Sequence, residues 1–159
     1  MTIIRNVALV AALTLIIANG SAQAEPQPSA TTEAAALAVV DAFHAALNRN
    51  DTKAAAALLD DRVVIYEGGV AEQSKAEYAA HHLKADGAFS SEMNETIERR
   101  TDGAADNLAW VATEGRTSGR YKDRDINLIT TETMILQRTN GTWKIVHIHW
   151  SSRAPSKQH

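Results

Sequence analysis

With 159 residues, 19 acidic against 16 basic side chains and a formal net charge of −3, the chain lacks the basic stripe that nucleic acid demands, so no nucleic-acid partner is expected. It contains no cysteine, which excludes disulfides, a thiol nucleophile and a lipid anchor at a processed N-terminus. The length suits one domain with one core.

The first 24 residues read as a removable leader: Arg5 supplies the positive start, an apolar run follows over 7–17, and Ala22-Gln23-Ala24 is a small-x-small cleavage site. The run is too short to span a bilayer. Export is expected, with cleavage near Ala24, a periplasmic or secreted mature chain and no membrane partner. Residues 25–32 form a flexible lead, a single domain occupies 33–153, and 154–159 is a frayed tail.

Thr31 or Thr32 caps a first helix over 34–48, whose stripe carries Leu37, Val40, His44 and Leu47, widened by Phe43. On that stripe His44 reads as a packed, hydrogen-bonded side chain. Asn50-Asp51 ends this helix and caps a second over 52–59, which Asp60-Asp61 breaks. A strand over 63–66 leads to Glu67 and the turn Gly68-Gly69. Ser74 and Glu77 make a capping box opening a third helix to about residue 84, with His81-His82 inside it and Asp86-Gly87 closing it. Four antiparallel strands follow over 91–100, 108–120, 126–138 and 141–153, with a polar loop over 121–125. The order predicts an α+β fold, a cone-shaped curved antiparallel sheet with about three helices packed on its concave face.

Asn140-Gly141 is a strong two-residue hairpin signal and sets a register for the last two strands. Leu136 then opposes Ile145, Met134 opposes His147, and Glu132 opposes His149, all on a face shared with Trp143. Ile135, Val146, Ile148 and Trp150 fall on the other face. That second face is too apolar for water, so a second copy of the chain is expected to cover it as a homodimer.

Glu132 and His149 are the candidate catalytic pair, since a carboxylate that orients an imidazole fixes its tautomer and raises its basicity. The competing reading is that the two only satisfy each other in a pocket wall. His147, Glu67, His82, Tyr66, Met134 and Trp143 are the candidate ligand-binding residues around them, with Trp143 closing one end. No cofactor is expected. The alternative is a divalent metal held by His147 and His149 with His82, although no tight ligand motif such as His-Glu-x-x-His is present. Either Glu114 and Arg116 or Thr113 and Thr117 share the face of Glu132, depending on a parity that the loop over 121–125 leaves open.

Residues 40–47, Asn50-Asp51, Leu58-Leu59, Asp61-Arg62-Val63-Val64 and the run Gly-Thr-Trp-Lys-Ile-Val-His-Ile-His-Trp-Ser from Gly141 resemble the nuclear transport factor two-like superfamily. The closest likeness is to its SnoaL-like and ketosteroid-isomerase-like bacterial domains. The resemblance implies the cone fold, a pocket between sheet and helices, and commonly a dimer. It extends to isomerases, dehydratases, cyclases, hydrolases and pure binding modules alike. Ketosteroid isomerases resemble one another in a first-helix tyrosine and two pocket aspartates, where this chain has Phe43, His44, glutamate and histidine. Three functions follow as expectations: a small-molecule-binding domain with Glu–His proton chemistry, a metal-binding module, or a partner-binding domain without catalysis.

Overall fold

The computed structural model describes residues 30–156, so the leader, its cleavage site and the last three residues of the tail lie outside the described residues. Four helices and six strands follow in the order α1 (Ala30–Asn48), α2 (Thr52–Leu58), β1 (Leu59–Glu67), β2 (Val70–Glu72), α3 (Lys75–His81), α4 (Leu83–Ser90), β3 (Met93–Ala105), β4 (Leu108–Tyr121), β5 (Arg124–Thr139) and β6 (Thr142–Arg153). They build one curved sheet in the order β2-β1-β6-β5-β4-β3, the α+β cone that the element order predicts. Every pairing is antiparallel except β1 with β6.

Local chemistry explains most of the boundaries. Ala36, Val40, Phe43 and Leu47 recur at helical spacing and are buried, so α1 lies along the sheet by one apolar face. Asp51 caps α2 by accepting the Ala54 amide at 3.0 Å. Ser74 caps α3, accepting the Glu77 amide at 3.1 Å, while the Glu77 carboxylate reaches back to the Gln73 amide at 2.8 Å. Three expectations need correction, and one strand is added. Helix α2 already ends at Leu58, and Asp60-Asp61 lies inside β1 instead of serving as the helix break. Gly68 and Gly69, at φ of 57° and 85°, make the expected turn, and it leads into a short strand, β2, that the sequence pattern does not announce. The third helix stops at His82, and a fourth runs on through Asp86 and Gly87. A Cβ at Gly87 would lie 2.7 Å from the Asn50 side-chain oxygen, so this glycine admits α4 to the α1–α2 corner instead of ending a helix. Finally, Lys122 and Asp123 alone turn β4 into β5, with φ of 48° and 62°.

The Asn140-Gly141 turn forms as expected, with Thr139 against Thr142 and Leu136 against Ile145. The next pair is Ile135 with His147. Val146 is therefore an extra residue, a β-bulge, and every side chain beyond it changes face relative to a regular ladder. Met134 opposes Ile148, Thr133 opposes His149, and Glu132 opposes Trp150. The expected Glu132–His149 pair is thus corrected to Glu132–Trp150. The physical reason is burial: the bulge puts Ile148 and Trp150 on the helix-covered face with Trp143, Ile145 and Met134, and leaves two imidazoles outside. Burying such side chains is favourable by about 1.5–3 kcal/mol each, whereas an unpartnered imidazole would be costly to enclose. The outer face is then a mixed surface of Tyr66, Thr133, Ile135, His147 and His149, and the apolar argument for a covering second copy loses Ile148 and Trp150.

Deleting Val146 tests the bulge. The deletion regularises the ladder without changing which way Ile148 and Trp150 point, so the fold should survive at a cost of no more than about 2 kcal/mol for the lost valine burial. Urea unfolding followed by tryptophan fluorescence measures this. A ladder already regular at that point would respond by turning both residues outward and losing the core.

Candidate active site

Between α1, α4 and the far end of the sheet lies a cavity of about 620 Å³. α1 sends His44 into it from the flank of the Phe43 stripe, β5 supplies Glu132, β6 Trp150 and β3 Glu95. The His44 Nε2 atom lies 2.9 and 3.1 Å from the two Glu132 oxygens. The indole N–H of Trp150 donates to Glu132 Oε2 at 2.7 Å. Glu132 is only 8% exposed, so these donors hold its charge in place of water. The Trp150 ring is itself fixed by stacking on Phe43, with centroids 6.3 Å apart and planes 20° from parallel.

The second nitrogen of His44, Nδ1, is 3.9 Å from Glu95 Oε2. Burial acts to lower the His44 pKa, but the hydrogen bond and charge of Glu132, together with the charge of Glu95, outweigh it. Arg100 opposes them, and the net direction is upward. With Nε2–H committed to Glu132, a neutral His44 offers a lone pair at Nδ1, and a protonated one offers a proton there. This is an imidazole poised to take or give a proton, with a buried carboxylate fixing its tautomer.

The parity left open by the β4–β5 loop resolves to Thr113 opposite Glu132. Thr113 and Thr117 face the cavity side, and Arg116 pairs with Glu98 at 2.5 Å. Arg100 is held by Asp41 at 2.7 Å and by Thr113 at 3.2 Å.

The structure distributes the residues singled out from sequence. Glu132 and Glu67 line the large cavity. His82 lines a smaller one, where its Nδ1 lies 2.5 Å from Glu72 Oε1 and that of His81 is 3.6 Å away. His149 is corrected to the outer face, exposed, its ring 6.1 Å from that of Tyr66. His147 is there too, bonded through Nδ1 to the Val64 carbonyl at 2.9 Å and 5.2 Å from the Tyr66 ring. Tyr66 is 42% exposed and does not line the pocket. Met134 belongs to the closed core. Trp143 is buried near the hairpin turn beneath the Arg138 guanidinium and closes no cavity. The histidines of the metal alternative are not brought together: His82 lines the smaller cavity, while His147 and His149 pack against Tyr66. Among the described residues no group of three or more His, Asp or Glu is disposed to hold a metal ion.

Sequence reasoning missed His44 as the partner of Glu132, and it missed Trp150 and Glu95. The available signal was a lone imidazole within an apolar helical stripe that must face the sheet.

Residues 36–155 match the SnoaL-like domain family, and the chain belongs to that family, within the NTF2-like superfamily. No functionally curated protein matches the chain. Among solved structures, a Shewanella frigidimarina protein named as a candidate ketosteroid isomerase is 37% identical, with a TM-score of 0.71 over 74% of this chain and 94% of that one. A Streptomyces avermitilis protein named as a candidate dehydratase of the NTF2-like family is 15% identical, with a TM-score of 0.68 over 79% of this chain and 98% of that one. A Xanthomonas campestris protein named as a candidate calcium/calmodulin-dependent protein kinase II association domain is 19% identical, with a TM-score of 0.62 over 74% of this chain and 84% of that one. The last two bear on the fold alone.

Proposed function

We infer that this is an exported SnoaL-like enzyme that binds a small organic molecule in the large cavity and moves a proton on it, by isomerisation or by elimination of water. His44 is the acid–base group, and Glu132 and Trp150 position it. The observation that carries this reading is the short contact between His44 Nε2 and a buried Glu132 whose other donor is Trp150. Isomerisation needs no cofactor here, because the proton leaves one carbon for His44 Nδ1 and returns from it to another. The name of the isomerase neighbour, 37% identical over most of its length, supports this class. Export rests on the leader pattern of the first 24 residues. Association into a homodimer is part of the same proposal and rests on the family resemblance, which implies a dimer.

The test is turnover of a panel of enolisable ketones and β-hydroxy carbonyl compounds. His44→Asn should lower kcat by about 10²–10⁴-fold, the usual contribution of a positioned acid or base. His149→Asn should stay within about twofold, since a surface change away from the site leaves the dyad intact. Equal losses in the two variants, or full activity in His44→Asn, would contradict the assignment.

A further inference from the structure

β3 carries two adjacent arginines, and an irregularity in its own ladder decides which of them turns inward. Ile97 pairs with Gly115 and Arg99 with Glu114, so Glu98 is an extra residue. A regular ladder would set Arg99 against Thr113. The bulge instead lets Arg99 bond Glu114 through Nε at 3.0 Å and brings Arg100 opposite Thr113, where it lines the large cavity. Arg100 is then anchored twice. Its Nη1 donates to Asp41 at 2.7 Å and its Nε to Thr113 at 3.2 Å. Both anchors adjoin the dyad: Asp41 precedes His44 by one turn of α1, and Thr113 directly opposes Glu132 across β4 and β5. The guanidinium is close enough for its charge to act on His44. Its side chain is only 17% exposed. Yet Nη2 has no hydrogen-bond partner among the described residues, and it is not sealed away, since the one fully enclosed side-chain atom without a partner there is Glu72 Oε2. Two nitrogens fix Arg100, and the third is free to donate to what occupies the cavity.

We propose that Arg100 is a second catalytic residue, an oxyanion donor whose Nη2 holds the carbonyl oxygen of an enolisable substrate while His44 moves the proton on the carbon beside it. This rests on His44 as the acid–base group and adds the handle by which the substrate is held. As the α C–H bond breaks, its proton passes to His44 Nδ1, its electron pair becomes the new C=C bond, and the carbonyl π pair moves onto the oxygen. Negative charge thus appears beside a guanidinium already in place, where a preorganised donor acts most strongly. Return of the proton from Nδ1 to another carbon re-forms the C=O bond. A planar guanidinium suits the task, because it can spend two nitrogens on anchorage and keep a third for the substrate, whereas lysine has one nitrogen for everything.

4-Nitrophenol is the probe: its planar anion resembles an enolate, and its visible absorbance reports its own ionisation. On binding to the wild-type protein its titration should fall by about one pH unit or more, the shift that a charge-assisted hydrogen bond to the anion produces. The shift should vanish in Arg100→Gln and persist in His44→Asn, where no imidazolium can supply it. Arg100→Lys keeps a charge for Asp41, should lose most of the shift, and carries the same test should the first variant fold poorly. On a ketone that the protein turns over, Arg100→Gln should lower kcat by about 10²–10³-fold and change KM far less, as loss of a single oxyanion donor does. A bound phenol no more acidic than the free one, no binding up to millimolar concentration, or a shift lost in His44→Asn but kept in Arg100→Gln would overturn the assignment. A dyad without a role in turnover would leave the phenol titration as predicted, so the two readings fail separately.

Discussion

Trp150→Ala is expected to lower the unfolding free energy by about 3–5 kcal/mol, the range for removing a large aromatic from a packed site. The ring stacks on Phe43, approaches Tyr78 at 6.4 Å, and its N–H is one of the two donors on Glu132. The variant therefore opens a hole and strips a buried carboxylate at once. A domain of this size is stable by only about 5–15 kcal/mol, so the loss is a large part of the whole. Trp150→Phe keeps most of the ring and removes only the donor, so it should cost about 1–2 kcal/mol. Urea unfolding of the two variants separates packing from hydrogen bonding. If both cost the same, the indole N–H dominates and the packing account fails.

The second large effect belongs to His44. His44→Ala leaves Glu132 enclosed with only the Trp150 N–H, and removing one partner of a buried pair costs about 3–5 kcal/mol. His44 is partly exposed, at 24% of its side chain, which places the expectation near the lower limit, about 3 kcal/mol. Glu132→Gln in the His44→Ala background should recover part of that loss, because the charge left without its partner is gone. The double-mutant cycle should give a coupling of about 1–3 kcal/mol. Additive single effects would mean that the two side chains do not act as a unit.

Much of this fold is legible in local chemistry, and the candidate site is much less so. The Asp51 and Ser74 caps, the apolar stripe of α1 and the Asn140-Gly141 turn each depend on residues within a few positions of one another, and the structure contains all of them. The Val146 bulge leaves no comparable mark. Valine is an ordinary strand residue, and nothing near it demands an extra position, yet that single insertion reverses the facing of His147 through Trp150. The turn fixes the pairs from Thr139–Thr142 to Leu136–Ile145, and beyond the bulge Glu132 meets Trp150 in place of His149. The His44–Glu132 contact spans 88 positions in sequence, from the first helix to the fifth strand. Only the sheet's curvature over α1 brings them together. β2 is three residues long, too short for any alternation to show, and with it the environment of Glu72 was invisible.

Imidazole nitrogen NMR of His44 as a function of pH, in the wild type and in Glu132→Gln, tests the central claim most directly. The account predicts that wild-type His44 titrates above the ordinary histidine value near 6.5, with its proton held on Nε2 in the neutral form. It predicts that Glu132→Gln brings that titration down, leaving Glu95 as the only acidic neighbour raising it. A His44 whose titration and tautomer are untouched by the loss of the Glu132 charge would contradict it.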